Sequence, residues 1–81
     1  MATRDDLCEW VVEAINHFGG QARIVPICKY IWGKYENELK RSGDLFYTWQ
    51  YEVRWAGQKL RDSGTLLPAH NNRQAPWAIK K

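Results

Sequence analysis

The run from Trp49 to Gly64, WQYEVRWAGQKLRDSG, constrains the fold more than any other part of the chain. At helical spacing Trp49, Val53, Ala56 and Leu60 form one apolar stripe, while Gln50, Arg54, Gln58 and Arg61 fall on the opposite side. Thr48 is a candidate N-cap, and Asp62-Ser63-Gly64 is a polar stop whose glycine can take the left-handed conformation at a helix end. The stretch is predicted as a bounded amphipathic helix, with one side for a core and the other for solvent or a partner.

The remaining residues supply neighbours for it. Thr3 followed by Asp5 and Asp6 predicts a helix start, since an N-cap and acids in the first turn satisfy free amides and suit the dipole. Leu7, Trp10, Val11, Ala14, Ile15 and Phe18 then repeat at helical spacing up to Gly19-Gly20. Gln21 to Ile24 is too short for an independent strand and is expected to add a short edge to a sheet formed elsewhere. Pro26 fits the first turn of a second helix, whose apolar and aromatic side is Ile27, Tyr30, Ile31, Trp32 and Tyr35 and which fades near Leu39. Arg41 to Asp44 is a turn, and Leu45-Phe46-Tyr47 leads into the third helix. Leu66-Leu67-Pro68 and Pro76-Trp77-Ala78-Ile79 flank the polar run His70 to Gln74, which predicts a β-hairpin. Helix, short strand, helix, helix, strand, loop, strand is the order of an α+β winged helix-turn-helix: three helices with a short antiparallel β-hairpin as the wing.

With 81 residues the chain is expected to be a single domain with one core, too small for a large catalytic cleft beside it. Five tryptophans add burial that a short chain needs. The charge is unevenly placed: residues 1–38 sum to −2 and residues 39–81 to +5, so the positive field belongs to the half with the third helix, as suits a polyanionic partner. A solvated basic surface is the bland alternative. Cys8 and Cys28 are expected to be reduced core thiols, and a charged N-terminal segment without a long apolar run predicts a cytoplasmic protein. His17, His70, Cys8 and Cys28 lack the paired spacings of a zinc site, so no metal and no cofactor are expected. No nucleophile, acid-base or phosphate-loop pattern supports an enzyme.

Trp49, Val53-Arg54-Trp55-Ala56, Leu60, Gly64 and Leu66, closing with Trp77 and Ile79, resemble the winged-helix domain at the N-terminus of Mrr-type restriction endonucleases. Phe18-Gly19-Gly20-Gln21-Ala22 is similar to that family's helix, double glycine and short strand. One departure lies in the wing: the family usually has a basic residue and a glycine just before the aromatic, whereas here Arg73 is followed by Gln74, Ala75 and Pro76. The resemblance implies double-stranded DNA binding, with the cutting done by a nuclease domain or partner absent from this chain. Glu38-Leu39-Lys40 matches the E-x-K fragment of such nucleases but falls in a helix tail, without the strand that metal binding needs.

Arg and Gln can reach base edges in bidentate fashion from a helix in the major groove. The candidate DNA-binding residues are therefore Tyr47, Gln50, Tyr51, Arg54, Gln58 and Arg61 on the third helix, with Arg73 on the wing. The alternative for Arg54 is a surface contact to Glu52, Gln58 or the loop. Lys40, Arg41, Lys59, Lys80 and Lys81 would at best contact phosphates, and Lys29 and Lys34 are weaker candidates. Trp49 and Trp77 are expected in the core, whereas Trp55 sits one step off the stripe. The competing expectation is a protein-interaction or homodimerisation module using the same surfaces.

Overall fold

The computed structural model describes residues 2–67 and 76–79. Three helices and a two-stranded antiparallel sheet follow in the order α1 (Arg4–His17), β1 (Gln21–Ala22), α2 (Ile24–Lys40), α3 (Leu45–Asp62) and β2 (Trp77–Ala78), an α+β fold.

At the head of α1 the Thr3 amide donates to Asp6 Oδ2 at 2.9 Å, satisfying one amide that the helix leaves free. Its end is set by Gly19, at φ 88°. There the Gly20 amide donates to the Ile15 carbonyl at 2.9 Å and the Gly19 amide to the Asn16 carbonyl at 3.1 Å, a pairing that needs a left-handed residue. Phe18, which its spacing puts on the apolar side of α1, is instead the C-cap and 44% exposed. Leu7, Trp10, Val11, Ala14 and Ile15 are all buried as the periodicity predicts.

Pro26 lies in the first turn of α2 as expected. The helix is interrupted at Tyr35, whose φ of −115° and ψ of 19° are not helical. At this interruption the Tyr35 ring lies flat on Trp10 of α1, centroids 4.0 Å apart and planes 6° apart. Buried positions on α2 are Ile27, Ile31 and Leu39, while Tyr30, Trp32 and Tyr35 are only partly covered.

The helix expected from Trp49 begins at Leu45. Gly43, at φ 60°, turns the chain so that the Leu45 and Phe46 amides already donate to the Ser42 and Gly43 carbonyls at 3.2 and 3.1 Å. Thr48 is therefore inside the helix rather than its N-cap, and its Oγ1 donates to the Asp44 carbonyl at 3.3 Å. The far end matches expectation: Gly64 is at φ 82°, and the Thr65 amide donates to the Leu60 carbonyl at 2.9 Å.

The core is the apolar side of α1 packed on Trp49, Val53, Ala56 and Leu60 of α3, with Ile27, Ile31 and Leu39 of α2 closing it. Each fully covered Leu, Ile or Val removes enough surface from water to contribute about 1.5–3 kcal/mol. In the sheet Gln21 pairs with Ala78 and Ala22 with Trp77. On its other side β2 is joined by Leu66, which bridges to Ile79, and by the Leu67 amide, which donates to the Ala78 carbonyl at 2.9 Å. The regular partner of β2 is thus β1; the expected hairpin arm is a bridge at Leu66, and Pro68 with the expected tip His70 to Gln74 lies outside the described residues. Among the described residues no helix is long and apolar enough to cross a membrane.

Candidate nucleic-acid interface

Because the stripe from Trp49 to Leu60 is consumed by the core, the opposite side of α3 faces outward. Tyr47 is 82% and Tyr51 74% exposed, and Gln50, Arg54 and Gln58 are exposed with them. Glu52, the nearest acid in sequence, turns away from Arg54 to α1, where its carboxylate is 3.9 Å from Arg4. Gln58 donates instead to Asp62 Oδ1 at 2.9 Å. Neither alternative partner occupies Arg54, which makes no ion pair among the described residues. Tyr47, Gln50, Tyr51 and Arg54 thus form one row of donors, rings and a cation, which ends at Gln58 and its carboxylate partner Asp62.

Two sequence candidates do not join that row. Arg61 shares the face by spacing, but its guanidinium is 5.1 Å from the centroid of the Trp77 ring and the side chain is half-buried. Arg73 lies outside the described residues, as do Lys80 and Lys81.

The tryptophans divide by position. Trp49 is 5% exposed and stacks on Trp32 of α2, centroids 5.9 Å apart and planes 7° apart. Trp77 is half-buried, its six-membered ring seated on Gly57 of α3. A Cβ at Gly57 would lie 2.7 Å from Trp77 Cη2, closer than any side chain allows. The apolar and polar stripes of α3 do not include Gly57, yet a glycine in mid-helix, which weakens the helix by roughly 1 kcal/mol against alanine, is the sequence signal of a close neighbour. Trp55 is half-buried, with the Arg4 guanidinium 4.4 Å and Lys59 Nζ 5.7 Å from its ring centroid. It is a lateral packing residue between α1 and α3.

Between the first turns of α2 and the first half of α3 lies an open cleft of about 530 Å³. Trp32, Phe46 and Trp49 supply its aromatic wall, Val25 and Cys28 its aliphatic and thiol lining, and Lys29, Gln50 and Arg54 its polar groups. Nothing in the spacing of α2 pointed to this cleft, because it needs two helices to form it.

Other candidate charges are engaged elsewhere. Glu13 of α1 accepts hydrogen bonds from Tyr30 Oη at 2.8 Å, Lys34 Nζ at 2.7 Å and Tyr35 Oη at 2.7 Å. The Lys34 ammonium, helped by the two phenols, holds the Glu13 carboxyl down at about 2, and Glu13 in turn raises Lys34 to about 12. Lys40 pairs with Glu36 at 2.7 Å and Leu39 is buried, so the E-x-K fragment is a packed helix end. Cys8 and Cys28 are partly buried thiols outside any disulfide, and burial pushes both up from the ordinary thiol value. Among the described residues no three His, Cys, Asp or Glu side chains gather where a metal ion could sit. No family model matches this chain, and neither a curated protein nor a solved structure matches it.

Proposed function

We propose that this chain is a non-enzymatic winged-helix domain that binds double-stranded DNA, with α3 in the major groove and the segment joining Leu66 to Trp77 as the wing on the backbone. The observation that carries the reading is the outward row of α3. Its single cation, Arg54, has no carboxylate partner among the described residues and stands between Gln50 and Gln58, the side-chain types that read base edges. The basic balance of residues 39–81 adds a long-range field of the right sign. The role implied by the likeness to Mrr-type N-terminal domains, target recognition for a nuclease carried elsewhere, is part of the same proposal.

Fluorescence anisotropy with a labelled duplex tests it. Binding is expected at low salt, falling steeply as salt rises because neutralised phosphates release counterions. Arg54→Glu is expected to weaken binding by at least about tenfold, the scale of one lost base or phosphate contact. Absence of binding at low salt, or an unchanged affinity in Arg54→Glu, overturns the reading. The exposed rings of Tyr47 and Tyr51 favour a second reading, a protein-interaction or homodimer surface, since tyrosine is enriched at interfaces. Sedimentation velocity separates the two: a dimer dispersed by Tyr51→Ala supports the second.

A further inference from the structure

We propose that the cleft between α2 and α3 is a binding site for a small planar aromatic anion, a flat ring system bearing a carboxylate or a phosphate. Its volume of about 530 Å³ lies within the range that holds a small organic molecule. The wall is aromatic: Trp32 and Trp49 are stacked within 7° of parallel, and Phe46 lies against Trp32 at 6.3 Å between centroids. At the lip Val25 is 59% exposed, an apolar side chain at the mouth of the cleft with no role in the core. Flat rings meet flat rings with a gain beyond the area they cover.

The charge of the ligand follows from the polar lining. Lys29 comes from α2 and Arg54 from α3, and neither makes an ion pair among the described residues. Among the described residues no Asp or Glu lines the cleft. Lys34 and Arg4, which also lie near rings, are matched by Glu13 and Glu52, whereas Lys59 and Arg61 lie beside one ring each; the cleft is where two such cations, from two helices, converge on one aromatic wall. Two unmatched cations beside an aromatic wall favour an anionic group at the mouth and exclude a cationic ligand. Cys28 is a neutral thiol here, because burial raises it, and so contributes apolar lining rather than a nucleophile.

Titration of the full chain with naphthoate, adenosine monophosphate and the neutral naphthalenemethanol tests the assignment, read by tryptophan fluorescence and by amide NMR shifts. Naphthoate is expected to bind in the millimolar range or tighter and to shift the amides of Val25, Cys28 and Lys29 and of Gln50 to Arg54. The Lys29→Gln, Arg54→Gln double variant is expected to weaken it about tenfold, while Lys40→Gln leaves it unchanged. All three positions are exposed, so the substitutions remove no core packing; Val25→Glu, also at an exposed site, gives a second block of the mouth. Tighter binding of naphthoate than of the nucleotide identifies a free aromatic carboxylate as the source of the anion, and the reverse order identifies a nucleotide. Equal affinity for the neutral alcohol, affinity unchanged in the double variant, or shifts confined to other residues overturns the proposal. No DNA is present in this titration, so its outcome is independent of the DNA-binding reading.

Discussion

Glu13 shows how much one side chain can depend on where a neighbouring helix breaks. In sequence it is one more acid on the polar side of the first helix, and Tyr30 and Tyr35 read as apolar packing. Tyr30 and Lys34 share one face of α2 at i, i+4, and Tyr35, where the helix is interrupted, meets the same carboxylate beside them. Spacing places the first two together; the non-helical backbone at Tyr35 has no signature in it. Its folded value of about 2 lies below the ordinary 4.5, so the carboxylate stabilises the fold fully above pH 4.5, and the contribution drains away as pH falls toward 2. Glu13→Gln is therefore expected to lower the melting temperature at neutral pH. The group is about one-third exposed, so solvent screening limits the loss to about 1 kcal/mol, or ~4–8 °C for a domain of this size. Thermal melts across pH should show the two proteins converging near pH 2; a difference that persists undiminished there would mean that the carboxylate charge is not its origin. Arg54 is the opposite case. Its outward position follows from the stripe alone, whereas the departure of Glu52 toward Arg4 depends on α1 and could not be read from α3.

On the scale of an element, α3 was the most legible part of the chain, because four apolar residues at helical spacing leave a helix no choice of buried side. Its start was not legible, since the turn at Gly43 extends the helix backward through Leu45-Phe46-Tyr47, residues without a cap signature of their own. Gly57 is where the helix depends on something far along the chain. Alanine there gains about 1 kcal/mol in helix propensity but puts a methyl 2.7 Å from the Trp77 ring, an overlap that costs about 1–3 kcal/mol if the ring must move. Gly57→Ala alone is expected to destabilise the protein, and the same substitution in a Trp77→Ala background to stabilise it by about 1 kcal/mol. Urea denaturation of the four proteins in the cycle measures this change of sign. Gly57→Ala equally harmful in both backgrounds would show that the ring is not what the glycine accommodates.

For the whole molecule, the order of helices and short strands could be read from turns and periodicity, whereas the cleft could not, because it belongs to no single element. Strand pairing differs from the hairpin that the turn residues predict: β2 takes its regular register from Gln21-Ala22 and meets the 66–67 segment through one bridge and one further hydrogen bond. A local hairpin is the cheaper closure in chain entropy, yet the sheet spans most of the sequence from Gln21 to Ala78. That pairing carries a consequence for the order of assembly. The three helices follow one another through short connections and can collapse on α1 and α3 before the last segment arrives, so β2 docks late and is the first piece to lift away. In native-state hydrogen exchange the amides of Ile79, bonded to the Gly20 carbonyl, and of Leu67 are expected to exchange through a partial opening of lower free energy than the amides of Val53 and Leu60. Identical opening energies for both groups would instead mean that this C-terminal clasp and the three helices fold and unfold as one cooperative unit.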